Sequence, residues 1–519
     1  MTDWGILIDL GIVGIALLLA TWVRARVSLL QRFLIPNPIV AGFILLLFYN
    51  LIAGGLGLGR DAAPIEQATR ELVSEAGGRV PVDPTAVVDA AEQVAGTVFD
   101  DPQAGLRSLV FHLLNLTMVA MGLRAPTDRS QKVTRPVLST ATVILSQFTL
   151  QSLVGFGLTF LFISLPFLPV LFPSYGYLVA LGYSLGPGQA FSIGSGWEQF
   201  GFAGAGGLGL IFGAAGFLIA CFGGVAFINY GVRRGLTTVT RAELEQRAHS
   251  SGLRGREQRP SGMSLTTRSE AIDSLTLNLG AVLGVYVLTF VFMLGLTTLL
   301  SEYGGAQGAR LASNFWGISF IFGLLLALAA RRVLVALGWD HYLDSGALTR
   351  ISGGSVDLMV ASALGAISLA LVSANWLPVA VFATVVALVS FVSILWLTSR
   401  LFPGDYAFER AVLHWGTLTG TLSTGLALLR VLDPELKTPA APNYVYANAV
   451  TFFALLPLFI NMDQPTQAAM CDCDGPLYTA LLVKIVYLAV AAAAFVWLRR
   501  RGSTAASGRL WARPVAGGS

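Results

Sequence analysis

Two glycine-rich stretches inside apolar segments carry the residue types that could bind a solute. LGYSLGPGQAFSIG begins at Leu181, and LHWGTLTGTLSTG begins at Leu413. Glycine and proline weaken a helix, and lipid offers no water to satisfy the backbone groups that are freed. Because irregular backbone survives at membrane depth only where protein or a watery cavity covers it, each stretch predicts a site.

A helix that ends within a membrane protein presents backbone groups that can bind ions. Free N–H groups at an N-terminus suit a carboxylate, and free carbonyl groups at a C-terminus suit a sodium ion. Side-chain hydroxyl and amide groups complete such a site. The predicted solute-binding residues are Ser184, Gly186, Gly188, Gln189, Ser192, Thr419, Gly420 and Thr421, and the predicted Na⁺ ligands are Asp357, Thr417, Ser423 and Thr424.

Other polar residues in apolar segments allow two interpretations each, because burying a charge in lipid costs at least a few kcal/mol. Asp357 is either a functional group, as a cation ligand or a proton-accepting carboxylate, or an acid near a helix N-terminus at the cytoplasmic interface. Gln147 and Gln151, one helical turn apart, either line a cavity or bridge helices. Three charged residues are either counter-charges for a solute or interfacial groups, and we favour the interfacial interpretation: Glu198, Arg430 and Lys484.

The composition is that of a membrane protein. Of 519 residues, 55% are hydrophobic and 12% are charged, whereas soluble domains contain about 25% charged residues. Apolar runs recur along the whole chain, so a secreted protein with only a signal peptide is excluded. The net charge of +4 lies mostly in loops and indicates membrane orientation rather than binding of nucleic acid.

The apolar runs predict eleven membrane spans, each judged by its length and its freedom from charge. The two glycine-rich regions, 175–204 and 411–432, are additional to these spans. The predicted spans are 4–22, 34–56, 106–122, 137–163, 206–230, 273–300, 310–330, 354–372, 376–399, 443–461 and 477–498.

The distribution of arginine and lysine predicts the orientation, because short cytoplasmic loops are enriched in these residues. The arginines that follow the first, third and fifth spans fall on one side, as do Arg499 to Arg501 near the end. The N-terminus is then outside and the C-terminus cytoplasmic, as for a multi-pass protein of the inner (plasma) membrane. This assignment holds only if 175–204 and 411–432 each enter and leave on the same side, as re-entrant hairpins.

The predicted fold is all-α, with two inverted-topology five-helix repeats, each carrying a re-entrant hairpin, and one extra C-terminal helix. The first repeat covers 1–239, with an acidic extracytoplasmic insert at 57–105. A polar cytoplasmic linker at 240–270 precedes the second repeat at 271–461. The extra transmembrane helix lies in 462–501, and 502–519 is predicted to be a disordered tail.

The chain is not predicted to be an enzyme. HExxH and P-loop motifs are absent from the sequence, so the energy for any transport would come from an ion gradient. No cofactor is predicted. Cys471 and Cys473 are too close in sequence to make an easy mutual disulfide, and two thiolates without histidine partners are a weak metal signal.

Several motifs resemble the bacterial glutamate:sodium symporter family. They are IPNPIVAGFILL from Ile35, LGPGQA followed by GWEQFG, and DYAFERAVLHWGTLTG in the second half. Gly186, Pro187, Gly188 and Gln189 occupy the place of a Gly-His-Gly-Thr motif of the family. His414, Gly416 and Gly420 match its His-x-Gly pattern.

The resemblance implies sodium-coupled uptake of glutamate through two inverted five-helix repeats and their hairpins. We therefore expect a secondary transporter of glutamate or a related small amino acid or carboxylate, with Na⁺ as the coupling ion. It would work by alternating access as a homodimer in the lipid bilayer. The alternatives are a channel for ions or small solutes, which can also use re-entrant loops, and a membrane sensor or scaffold that uses the 57–105 insert.

Overall fold

A computed structural model describes residues 5–33, 35–53, 103–124, 134–237, 262–268, 270–305, 308, 312, 315–433, 438–471 and 473–500. Most of the 57–105 insert, most of the 240–270 linker and the whole 502–519 tail lie outside these residues. The described chain is all-helical and contains no strand. Eight of its helices are long and apolar enough to cross a membrane, so the chain is a multi-pass membrane protein.

Among its described residues, the first half contains eight α-helices. α3 continues into one π-helical turn, Phe48–Ala53. The helices are α1 Gly5–Arg26, α2 Ser28–Arg32, α3 Asn37–Leu47, α4 Ala104–Leu123, α5 Arg135–Ser164, α6 Tyr177–Ser184, α7 Pro187–Glu198 and α8 Ala205–Arg233.

The described part of the second half contains a short 3-10 helix, Asp340–Tyr342, and ten α-helices. They are α9 Ser274–Tyr303, α10 Ser319–Ala336, α11 Ser345–Gly365, α12 Leu369–Ala374, α13 Trp376–Leu401, α14 Ala407–Thr419, α15 Leu422–Leu432, α16 Ala440–Asn461, α17 Gln464–Cys471 and α18 Gly475–Arg500. A helix is found near each of the eleven predicted spans.

α11 differs from its predicted span, 354–372, because it begins nine residues earlier. The Asp344 carboxylate caps its first turn by accepting a hydrogen bond from the Ala347 N–H group at 2.6 Å. The predicted span began after Arg350 because spans were judged by their freedom from charge. The helix begins before Arg350 because Asp344 caps its first turn. The helix then ends at Gly365, and the short α12 follows.

The helices pack in two groups. In the α4 group, α4 lies against α9, α10 and α11, and α3 lies against α11 and α1. In the α5 group, α5 packs against α13, α16 and α18, while α8 packs against α6, α7 and α14. Contacts between the groups include those of α7 with α4 and α11.

Cys471 and Cys473 form a disulfide, so the expectation that they would not pair is wrong. Their Cα atoms lie 5.2 Å apart, within the range that a disulfide spans. Cys471 ends α17, and the Cys473 N–H group donates to the Ala468 carbonyl oxygen at 3.3 Å, so both residues lie at the end of that helix. Among the described residues, no cluster of three or more His, Cys, Asp or Glu side chains could hold a metal ion.

Candidate functional site

Each glycine-rich stretch forms two short helices separated by a two-residue break. α6 ends at Ser184 and α7 begins at Pro187, so Leu185 and Gly186 form the first break. α14 ends at Thr419 and α15 begins at Leu422, so Gly420 and Thr421 form the second. Gly186 has a φ of +104°, a backbone conformation that favours glycine.

The two breaks lie against each other, although they are more than 200 residues apart in sequence. A Cβ atom placed on Gly186 would lie only 3.0 Å from Cγ2 of Thr421. Thr424, on the first turn of α15, places its hydroxyl 3.3 Å from the Thr421 hydroxyl. Two interrupted helix pairs, one from each half of the chain, therefore meet at one place.

Glycines of α8 allow both breaks to pack closely against this helix. A Cβ atom on Gly213 would lie 2.6 Å from Cβ of Pro187, and one on Gly216 would lie 2.2 Å from the Thr419 carbonyl oxygen. Small residues permit such close approach between membrane helices. This agrees with a packing role for the glycine-rich run of α8.

Both breaks expose helix N-termini that lack a side-chain cap. Neither Gly186, which precedes α7, nor Thr421, which precedes α15, accepts a side-chain hydrogen bond from a backbone N–H group of the first turn of its helix. The N–H groups of a first turn have no partner within the helix and carry partial positive charge. The meeting point of the breaks can therefore attract an anion.

Gln189 adds a polar group that has no partner within the described protein. Its side chain is 8% exposed, and its Oε1 atom makes no hydrogen bond. Oε1 would lie 3.6 Å from a Cβ atom on Gly186, so it faces the first break. A buried carbonyl oxygen without a donor is costly, and a bound solute could supply that donor.

The other solute-binding candidates have different surroundings. Ser184 Oγ donates a 2.6 Å hydrogen bond to Gln151 Oε1 at the first break. Ser192 Oγ instead donates to the Gly317 carbonyl oxygen at 2.6 Å, ahead of α10. A Cβ atom on Gly188 would lie 2.7 Å from Sδ of Met359 on α11. Ser192 and Gly188 thus face the α4 group.

The hydroxyl groups of α14 bond to its own backbone. Thr417 Oγ1 donates to the Leu413 carbonyl oxygen at 2.9 Å, and Thr419 Oγ1 donates to the Trp415 carbonyl oxygen at 2.6 Å. Each hydroxyl oxygen keeps lone pairs for a cation. The side chain of Ser423 lies outside the described residues.

Asp357 is placed away from the contact between α11 and α7. Its side chain is exposed, whereas Met359, two positions further along α11, is 4% exposed and lies near Gly188. Residues two apart point to opposite sides of a helix. Its role as a cation ligand stays a prediction.

Sequence reasoning left open the role of Gln147 and Gln151, which bridge helices in the structure. Gln151 Nε2 donates to Ser390 Oγ on α13 and to the Leu418 carbonyl oxygen on α14, each at 2.9 Å. Gln147 Nε2 donates to Ser393 Oγ at 2.9 Å. We did not predict the serines, although two polar pairs at helical spacing in two apolar spans are a signal for such bridges.

Lys484 is fully buried, with 0% exposure, so the interfacial interpretation is wrong for it. Its Nζ atom donates to Asn461 Oδ1 at 3.3 Å and to the Ala480 carbonyl oxygen at 3.1 Å. The ammonium group also lies 4.2 Å from the centre of the Tyr177 ring on α6. Glu198 and Arg430 are exposed, and their position at the membrane interface stays a prediction.

We expect Asn461→Leu to lower the free energy of unfolding by about 2 kcal/mol, because the buried Lys484 charge loses a hydrogen-bond acceptor. Lys484→Met removes that charge and should cost less. The double variant should then be at least as stable as Asn461→Leu alone. Thermal unfolding in detergent measures all three, and a double variant that is less stable than Asn461→Leu would contradict the explanation.

Comparison with protein families, with curated proteins and with solved structures finds no match for this chain.

Proposed function

We propose that the chain is a sodium-coupled symporter of a small anionic or zwitterionic solute, such as glutamate or a related amino acid or carboxylate. The observation that carries the proposal is the meeting of the two helix breaks, with Gly186 against Thr421. A pair of broken helices offers both N-terminal N–H groups and C-terminal carbonyl groups, so one site can bind an anion and a cation.

The lengths of the four short helices support a re-entrant arrangement. α6, α7, α14 and α15 contain 8, 12, 13 and 11 residues, whereas crossing about 30 Å of hydrocarbon takes about 20 helical residues. α14 and α15 also lie side by side, since a Cβ atom on Gly416 would lie 2.7 Å from Cα of Gly425. Each pair is then a hairpin that ends within the bilayer.

The grouping of the helices supports two inverted repeats. Corresponding helices of the two halves lie in the same group, namely α1, α3 and α4 with α9, α10 and α11. The later helices of each half lie in the α5 group. They include the two helix pairs that flank the breaks, α6 with α7 and α14 with α15. Two repeats with the same helix order would divide their helices between the two groups in this way.

The solute carboxylate binds at the N-termini of α7 and α15, and Gln189 Oε1 accepts a hydrogen bond from a donor on the solute. Na⁺ binds at the carbonyl ends of α6 and α14, with the Thr421 and Thr424 hydroxyls as further ligands. Oxygen ligands of this kind suit a hard cation. No step requires a cofactor.

Transport proceeds by alternating access, in which the α5 group moves against the α4 group. The surface between them includes the contacts of Gly188 with Met359 and of Ser192 with Gly317. α9, in the α4 group, has an apolar face where a Cβ on Gly280 or Gly284 would meet nothing within 4 Å. Two glycines at this spacing favour close helix pairing, which supports a homodimer through the α4 group.

A ligand screen followed by an uptake measurement tests the proposal. Purified protein is heated with amino acids and carboxylic acids, with and without Na⁺, and a bound solute should raise the unfolding temperature in Na⁺. The same solute should then enter proteoliposomes saturably and only with an inward Na⁺ gradient. Large single-channel currents would instead indicate a channel, and the absence of any Na⁺-dependent ligand would contradict the symporter.

A further inference from the structure

One amide side chain contacts the ends of both broken helices. Gln151, in the middle of α5, is 1% exposed. Its Oε1 atom accepts a hydrogen bond from Ser184 Oγ at 2.6 Å. Its Nε2 atom donates to the Leu418 carbonyl oxygen and to Ser390 Oγ, each at 2.9 Å. The amide therefore uses both of its N–H groups and its oxygen.

The partners of Gln151 belong to the two breaks. Ser184 is the last residue of α6, and Leu418 lies in the last turn of α14. The last four carbonyl groups of a helix have no partner within that helix. Gln151 supplies one of these missing donors at the second break and holds a hydroxyl group at the first.

We propose that Gln151 is a positioning residue that holds the two breaks in register, so that a ligand bound at one break affects binding at the other. Within the described residues, it joins α5, α6, α13 and α14 through three hydrogen bonds. If the breaks move as one unit, Na⁺ at one end and solute at the other bind cooperatively, and the coupling is reciprocal. The ligand part of this inference rests on the proposed symport, whereas the positioning part concerns the breaks alone.

Gln147 provides a matched control on the same helix. It lies one turn earlier on α5, is 0% exposed and also bonds to a serine of α13. Ser393 Oγ donates back to Gln147 Oε1 at 3.1 Å. Gln147 therefore shares the residue type, the burial and the partner helix of Gln151, but its hydrogen bonds do not extend to either break.

Hydrogen exchange of Gln151→Leu and Gln147→Leu without solute tests the positioning role. Each lost hydrogen bond contributes about 1 kcal/mol, or about fivefold in local opening. Because each break loses one hydrogen bond to Gln151, we expect amide exchange in 181–190 and in 416–426 to be about fivefold faster in Gln151→Leu. In Gln147→Leu these segments should exchange at the wild-type rate. Equal exchange in the two variants would overturn the proposal.

Ligand binding supplies a second readout, with L-glutamate as the probe. The ratio of its Kd without Na⁺ to its Kd with Na⁺ should fall toward one in Gln151→Leu and keep the wild-type value in Gln147→Leu. A ratio unchanged in both variants would contradict the coupling. If wild-type protein fails to bind L-glutamate, the proposed symport of this solute fails, and the exchange measurement still decides the positioning role.

A shorter amide tests the same point if Gln151→Leu yields no folded protein. Gln151→Asn keeps the polar group but lacks one methylene, so it cannot reach Ser184 and Leu418 together. It should accelerate exchange at one break or both. Wild-type exchange at both breaks in this variant would count against the proposal.

Discussion

We expect Gly186→Ala to reduce Na⁺-dependent solute uptake by at least about tenfold, because it combines backbone strain with a close contact between the two breaks. The φ of Gly186 is +104°, and the new Cβ atom would lie 3.0 Å from Cγ2 of Thr421. Relieving both effects would push the breaks apart. Uptake into proteoliposomes, normalised to the amount of folded protein, measures the loss.

Gly201 is the matched control for the backbone strain. Its φ is +91°, but a Cβ atom placed there would meet nothing within 4 Å. Gly201→Ala should therefore keep uptake within about twofold of wild type, since the strain alone costs about 1 kcal/mol outside the site.

A second change should restore part of the lost activity. Thr421→Ser removes Cγ2 and keeps the hydroxyl group, so Gly186→Ala with Thr421→Ser should transport better than Gly186→Ala alone. Wild-type uptake by Gly186→Ala would show that the breaks need not lie as close as the structure places them. Failure of the double variant to improve would show that Cγ2 is not the obstacle.

Gly155→Ala should destabilise the protein by about 3 kcal/mol or more, because the new methyl group would meet backbone atoms that cannot rotate away. Gly155 lies on α5, and a Cβ atom placed there would lie 2.1 Å from the carbonyl oxygen of Gly176, the residue just before α6. α5 and the start of α6 would have to separate. We expect a lower unfolding temperature in detergent and a smaller fraction of monodisperse protein.

Gly157 lies two residues further along α5 and offers the control. A Cβ atom placed there would meet nothing within 4 Å, so the unfolding temperature of Gly157→Ala should not fall below that of wild type. A small rise in the unfolding temperature fits the same explanation, because alanine favours a helix by about 1 kcal/mol over glycine. Equal stability of the two alanine variants would contradict the close crossing of α5 and α6.

The positions of the helices and of both breaks could be predicted from the sequence. Apolar length determines a membrane helix locally, and Gly186, Pro187 and Gly420 interrupt helices through their own backbone properties. A helix occurs near every predicted span, and the breaks fall within 175–204 and 411–432. The start of α11 was missed because a capping carboxylate, Asp344, outweighed the charge of Arg350.

The partners of the site residues could not be predicted in this way. Ser184 and Ser192 are both hydroxyl residues of the same glycine-rich stretch, yet one bonds to Gln151 and the other to the Gly317 carbonyl oxygen. Lys484 was expected to reach the interface because a lysine stem can snorkel, but the residue is fully buried, beside Tyr177 of α6 and Asn461 of α16.

The sequence by itself determined that this is a helical membrane protein with two interrupted segments, since hydropathy and backbone preference act over a few neighbouring residues. Only the tertiary structure decided that Gly186 meets Thr421 and that Gln151 joins both breaks. These contacts depend on how each helix is rotated about its axis. That rotation is set by packing against segments hundreds of residues away, which no local pattern encodes.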